Sequence, residues 1–288
     1  MKEINLNEWE ITGGGSEGNT YRNRTDDSIL LKLYNISHLH TVEKNFNMTK
    51  NVKSLGIKTP DALEIVKCDD KYGIIFENIN DKVSLFRMVV NDNEKAEEAG
   101  NLFGEFLREI HLKICDTKIF TRRLDMLKGM VNVMFPLAKF FSDEQTKNVI
   151  DKFNKVCEKI NIENESETLL MGDCHPGNVL YSGGDLYLID LNLICFGDPI
   201  YDLSWLKYWA KSEYKDKASK KSQLLNNDIR EKFVSAAYEK YFIDGFNYKE
   251  ETFNKKIDKY GKLFDFVILS ALIKDYDLVI KVLTSYDD

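Results

Sequence analysis

Residues 171–190 constrain this chain more than any other stretch. They read Met171-Gly172-Asp173-Cys174-His175-Pro176-Gly177-Asn178, then Val179-Leu180-Tyr181, and close on Leu188-Ile189-Asp190. A carboxylate, a tight turn and a carboxamide are set between short apolar runs. Four residues separate Asp173 from Asn178. Pro176-Gly177 favours a turn between them, which folds Asn178 back towards Asp173. Val179-Leu180-Tyr181 reads as a short strand, and Ser182-Gly183-Gly184-Asp185 as a hairpin turn. Residues 186–189 are the return strand, ending at Asp190. This arrangement delivers three oxygen-bearing side chains to one site, and hard oxygen donors suit magnesium.

The stretch resembles the aminoglycoside phosphotransferase and choline kinase family, which shares the protein-kinase-like fold. The family pattern is close to His-Gly-Asp-x-His-Pro-x-Asn, then Ile-Asp, then Gly-Asp-Pro-x-x-Asp-Leu. This chain carries Gly172 through Asn178, then Ile189-Asp190, then Gly197-Asp198-Pro199-Ile200-Tyr201-Asp202-Leu203. Met171 stands where the family has its leading His, a residue that supports the loop. The resemblance runs over about residues 9–205. It implies an α+β, two-lobe fold: an N-terminal nucleotide-binding lobe with a small antiparallel sheet, residues 1–79, and a mostly helical lobe, residues 80–288, with catalytic loop and acceptor site. Asp173 is then the base that takes the acceptor hydroxyl proton, and Asn178 and Asp190 are magnesium ligands. Asp202 receives backbone N–H groups of the catalytic loop, and His175 braces that loop. Asp198 is either a turn former or a loop anchor, and Cys174 a small buried filler.

Residues 8–34 read as three strands around Gly13-Gly14-Gly15-Ser16-Glu17-Gly18. Gly13, Gly15 and Gly18 fit Gly-x-Gly-x-x-Gly, a weak pattern alone. The segment after Gly18 is strand-like and carries Lys32 inside an apolar run, the kinase order of a glycine hairpin and then a phosphate-binding lysine. The alternative for Lys32 is an edge-strand lysine reaching water. Residues 37–55 read as a helix, on which Glu43 is the sole acidic residue between Lys32 and Asp61. Glu43 is therefore the expected ion-pair partner of Lys32, against a solvated Glu beside Lys44 or Lys50. Residues 62–67 and 72–76 complete an expected five-stranded antiparallel sheet. The resemblance makes residues 77–80 the connector, where main-chain atoms of Glu77 and Ile79 bind the adenine edge.

The remainder reads as mostly helical. Apolar residues recur at helical spacing over residues 94–115, with His111 on or beside that face as a packed core histidine. A second helical stretch, 122–141, bends near Pro136. Ser142-Asp143-Glu144-Gln145 is a capping-box signature. Further helices span about 202–213, 227–242 and 251–272, with a short one at the end. Residues 215–221, rich in lysine, read as a solvated loop. Trp205, Tyr208, Trp209 and Tyr214 are either core or acceptor-pocket lining.

Composition narrows the function. A net charge of −7 argues against a general nucleic-acid binder. Five scattered cysteines without a Cys-x-x-Cys pair fit free thiols in a cytoplasmic setting. No apolar run approaches the length of a membrane span. The resemblance implies transfer of the γ-phosphate of ATP or GTP, with Mg2+, to a hydroxyl of a small aminoglycoside-, choline- or sugar-like acceptor. No nucleic acid, membrane or obligate protein partner is expected. The alternatives are a nucleotide-binding pseudokinase and a protein kinase. Only eleven residues lie between Asp190 and Asp202, which leaves no room for a long activation segment and predicts an enzyme active as made.

Overall fold

The computed structural model describes all residues except 15–17, 36–37, 161–165, 219, 221, 244–249 and 287–288. Its contacts group the chain into two compact units. One comprises Met1–Ser84 with Asn178–Asn192, the other Leu85–Gly177 with Leu193–Asp288.

The first unit is built on six strands: β1 Lys2–Glu3, β2 Trp9–Gly14, β3 Gly18–Asn23, β4 Ile29–Tyr34, β5 Ala62–Cys68 and β6 Lys71–Glu77. Their order is β1-β5-β6-β4-β3-β2. The five expected strands pair antiparallel, and β1 adds a parallel edge to β5. At two residues β1 is too short for alternation to mark it, so the sheet is mixed and not purely antiparallel. The near-continuous apolar run of β4 follows from burial on both faces. Leu31 and Leu33 pack with Trp9, Val66, Cys68 and Ile75. On the other face Tyr34 and Ile74 pack with Val42 of helix α1, Leu39–Ser54. Lys32 is paired in register with Ile74 and so lies on the face that α1 covers.

A second, three-stranded sheet also belongs to this unit. Strand β7, Val83–Ser84, pairs with β9, Val179–Ser182, which pairs with β10, Asp185–Leu188. Ser182 Oγ donates to the Asn80 carbonyl at 2.6 Å, and the Leu188 N–H to the Lys58 carbonyl at 2.9 Å. Lys58 Nζ also lies 2.5 Å from Asp185 Oδ1. These bonds tie residues 178–192 to the sheet-bearing unit. The division therefore differs from a boundary at residue 79 with the whole catalytic loop among the helices: it falls at Ser84, and the loop is split after Gly177.

The second unit holds ten helices among its described residues. They are α2 Leu85–Asn91, α3 Ala96–His111, α4 Arg123–Gly129, α5 Phe135–Ala138, α6 Asp143–Ile160, α7 Ile200–Lys211, α8 Tyr214–Ala218, α9 Asn227–Tyr241, α10 Glu250–Val267 and α11 Tyr276–Thr284. A two-stranded ribbon, β8 Leu169–Leu170 with β11 Cys195–Phe196, brackets the catalytic segment. The capping box forms as its residues dictate: Gln145 N–H donates to Ser142 Oγ, and Ser142 N–H returns to Gln145 Oε1. The expected bend near Pro136 is a π-helical stretch, Met130–Met134, just before it. Proline has no N–H for a regular helical bond, and the wider turn accommodates the loss. Lys215 departs from the solvated loop expected of its segment. It is buried, and its Nζ donates to the carbonyls of Ala210 and Ser212, capping the end of α7. No described helix is long and apolar enough to cross a membrane.

Candidate active site

The expected site residues fall into two groups, one in each unit. In the first unit, Lys32 Nζ lies 3.1 Å from Asp190 Oδ1. Asn192 Nδ2 donates to the same oxygen at 3.0 Å. The pairing of Val179 with Leu188, and the bond from Ile189 N–H to the Asn178 carbonyl at 2.9 Å, place Asn178 beside Asp190 at the open end of the hairpin. Asn178 is buried. Asp190 has φ of 58°, a left-handed conformation uncommon for a residue with a side chain and concentrated at functional sites.

This corrects the expected partner of Lys32. Glu43 is exposed on α1, and the lysine instead meets Asp190. Sequence proximity singled out Glu43, whereas Asp190 is brought in by the hairpin that docks through β7 and Lys58.

The glycines separate by role. Gly13 and Gly18 are described, while Gly15 lies outside the described residues. A side chain at Gly13 would meet nothing within 4 Å. At Gly18 it would come within 2.1 Å of the Leu33 carbonyl oxygen, so this glycine is required by the pairing of β3 with β4. In the connector, Glu77 N–H donates to the Asp61 carbonyl at 2.8 Å and Asn78 N–H to the Ser28 carbonyl at 2.7 Å. The Ile79 carbonyl accepts from Lys82 Nζ at 3.1 Å. Partial burial depresses the Lys82 ammonium below the usual lysine range.

In the second unit, Asp173 is held at both carboxylate oxygens. Trp205 Nε1 donates to Oδ1 at 3.2 Å, and His175 Nε2 lies 3.3 Å from Oδ2. His175 Nδ1 accepts the Gly177 N–H at 3.0 Å. That bond leaves the ring proton on Nε2, where it faces Asp173. A Cβ at Gly177 would approach the His175 ring to 2.8 Å, so the glycine admits the ring. About a third of the Asp173 side chain is exposed, at 34%, which leaves the carboxylate accessible to a substrate.

Behind the loop, Asp202 is 1% exposed. Its Oδ2 accepts the Met171 N–H at 2.6 Å and its Oδ1 the Gly172 N–H at 3.0 Å. His111 Nε2 reaches Oδ2 at 3.1 Å, while His111 Nδ1 lies 2.8 Å from the Tyr241 hydroxyl. The bonds are mutually consistent if Tyr241 donates to Nδ1 and Nε2–H donates to Asp202. Gly172 has φ of +75°, and a Cβ there would lie 1.8 Å from the Leu193 carbonyl oxygen, so no other residue fits. Asp198 Oδ1 accepts the Ile200 N–H at 2.8 Å, at the start of α7. Cys174 is fully buried, and burial pushes its thiol far above the usual range.

Sequence reasoning left Trp205 open and did not single out Arg123. Trp205 stands three residues after Asp202, one helical turn along α7, so both face the loop. That Asp-x-x-Trp spacing was the available signal. Arg123 Cζ sits 4.9 Å from the Trp205 ring centroid. It is 2% exposed, and its Nε and Nη1 have no hydrogen-bond partner among the described residues. Nothing in the local sequence marks it.

For a metal ion, Asn178 and Asp190 offer a carboxamide and a carboxylate oxygen. No group of three or more His, Cys, Asp or Glu arranged to hold a metal occurs among the described residues. Two hard donors of this kind fit an octahedral cation that takes its other ligands from phosphate and water.

A family model described as "Phosphotransferase enzyme family" matches residues 8–218. Among solved structures, the amicoumacin kinase hAmiN in complex with AMP-PNP, Ca2+ and Ami is similar at a TM-score of 0.63 and 14% identity, covering 100% of this chain and 90% of that one. A thermostable mutant of aminoglycoside phosphotransferase APH(4)-Ia gives 0.59 and 13%, covering 97% and 92%. The gentamicin–APH(2")-IIa complex gives 0.56 and 14%, covering 98% and 91%. At such identities the likeness is one of fold, and the expected α+β, protein-kinase-like architecture is borne out. A comparison with curated proteins finds no significant sequence match.

Proposed function

The chain belongs to the phosphotransferase enzyme family, and from that premise we propose that it is a small-molecule kinase. It transfers the γ-phosphate of ATP or GTP to a hydroxyl of an aminoglycoside-, choline- or sugar-like acceptor. The observation that carries this reading is the meeting of Lys32 and Asp190 across 158 positions of sequence, beside Asn178. A cation, a carboxylate and a carboxamide gathered in this way are what nucleotide phosphates and their counter-ion require.

In the reaction, the acceptor oxygen attacks the γ-phosphorus, the bond to the β–γ bridging oxygen breaks, and a nucleoside diphosphate leaves. The acceptor proton passes to an Asp173 carboxylate oxygen. Lys32 supplies a fixed positive charge to the phosphates, and Asn178 and Asp190 would hold magnesium, which would neutralise charge on the phosphate oxygens. Glu77 and Ile79 meet the adenine edge through main-chain atoms. Asp202, through the Met171 and Gly172 N–H groups, fixes the segment that carries Asp173. The hAmiN complex with AMP-PNP supports a nucleotide co-substrate, and the family supports phosphoryl transfer. The five free, buried cysteines accord with a cytoplasmic enzyme.

The test is purified protein with ATP or GTP, magnesium and a panel of hydroxylated acceptors, scored by nucleoside diphosphate release. Acceptor-dependent release that Asp173→Asn abolishes, with nucleotide affinity kept within about threefold by calorimetry, is the expected result. A variant with near-normal turnover overturns the role of Asp173. Failure of the wild-type protein to bind either nucleotide overturns the reading as a whole.

A further inference from the structure

Two buried side chains beside the catalytic loop, Trp205 and Arg123, have no part in the transfer step itself. We propose that Trp205 is a positioning residue for Asp173, and that Arg123 and Phe264 hold its indole in place; the proposal rests on the phosphotransferase reading. Three contacts carry it. The indole N–H reaches Asp173 Oδ1 at 3.2 Å. Phe264 meets the indole edge to face, with centroids 4.9 Å apart and planes at 79°. The Arg123 guanidinium lies over the indole at 4.9 Å.

Each contact has a physical consequence. With Trp205 on Oδ1 and His175 on Oδ2, rotation of the Asp173 carboxylate about its terminal bond breaks both bonds at once. That torsion is otherwise broad for an aspartate. A base that must meet an acceptor hydroxyl in one orientation gains from this restriction, because small misplacements cost turnover steeply. Trp205 is 6% exposed, so its own orientation is set by packing and not by solvent. A cation over the ring face draws on the indole π-density and strengthens the N–H as a donor.

Burying a guanidinium with two nitrogens unpaired among the described residues is costly. Arg123 also meets the Cys195 thiol, and its charge over the indole acts on the catalytic carboxylate through the ring. It lies close to the loop: a Cβ at Gly172 would fall 3.3 Å from its Nη1.

The experiment has two arms. The first uses magnesium–ATP hydrolysis without an acceptor. Water attacks the γ-phosphorus, the β–γ bridge bond breaks, inorganic phosphate and ADP form, and the proton passes to Asp173. Trp205→Phe keeps a ring between Arg123 and Phe264 but removes the N–H. It is expected to lower kcat about tenfold or more, the loss typical of a hydrogen bond to a charged group, while leaving KM for ATP within about twofold. Trp205→His, which offers a ring N–H in place of the indole donor, is expected to recover part of that loss. An unchanged kcat in Trp205→Phe, or equal losses in Trp205→Phe and Trp205→His, overturns the proposal, since a packing role would not follow the donor.

The second arm does not need turnover. In 15N-labelled protein, the Trp205 indole N–H resonance, identified by its loss in Trp205→Phe, is expected to move on Asp173→Asn, while those of Trp9 and Trp209 stay in place. A stationary Trp205 resonance overturns the contact. Because this arm reads the contact directly, a protein that neither binds nor turns over nucleotide counts against the phosphotransferase reading and leaves the Trp205–Asp173 contact decided on its own.

Discussion

Lys32 and Asp190, separated by 158 positions, meet at 3.1 Å, and side-chain exposures of 22% and 43% leave the pair open to a ligand. Among the described residues, the ion pair that Lys32 makes is this one and not one with Glu43 on α1. Lys32→Met is therefore expected to weaken magnesium–nucleotide binding by about ten- to a hundredfold, the range for a lost charged hydrogen bond. Glu43→Gln is expected to change it less than twofold, as for an exposed surface charge. Calorimetric titration of both variants checks this, and equal losses would restore Glu43 as the functional partner.

Asp202 holds the catalytic segment by accepting from Met171 N–H, Gly172 N–H and His111 at once. Asp202→Ala leaves two buried backbone donors and an imidazole unpaired. The expected cost is about 3 kcal/mol or more, read as a shift of the urea midpoint at constant slope. A midpoint unchanged within error would show that the loop has another anchor.

Two glycines with positive φ give an internally controlled comparison. Gly172 is crowded by the Leu193 carbonyl, whereas a Cβ at Gly183 would meet nothing within 4 Å. Gly183→Ala is expected to cost about 1 kcal/mol, the penalty of the left-handed backbone alone. Gly172→Ala adds a clash with main chain and is expected to exceed about 3 kcal/mol. Thermal melts of the two variants, run side by side, test the difference.

Asp265 supplies a pH dependence. Burial raises its carboxyl from 3.8 to about 6, against the lowering effect of the Ser212 hydroxyl, whose Oγ is 2.5 Å from Oδ1. The folded protein then binds a proton there that the unfolded chain has released. Stability from this group is complete below about pH 4 and is lost as pH rises from there through about 6. Asp265→Asn is expected to flatten that part of the stability profile and to raise stability at pH 7 by about 1–2 kcal/mol. Denaturation at pH 4, 5, 6 and 7 measures it; a variant that keeps the wild-type slope assigns the slope elsewhere.

The features legible in the sequence were local ones. The reciprocal Ser142–Gln145 cap, the hairpin 179–188 and the bend at Pro136 each depend on groups within a few residues, whose preferences are set by φ limits, missing donors and side-chain reach. The family motif around Asp173 was legible for the same reason, being contiguous. Folding chose the distant groups that came to meet it. The partner of Lys32 came from a hairpin that docks through Lys58 and β7, not from the nearest acid in sequence. His111 arrives at Asp202 from 91 positions away and Tyr241 at His111 from 130, and Arg123 comes to the Trp205 face from another helix. A histidine, a tryptophan or an arginine reads equally well as core or as site until packing places its polar atoms. A buried donor must find an acceptor or bear the cost of desolvation, and here the carboxylates of Asp173 and Asp202 were the acceptors that the folded chain brought within reach.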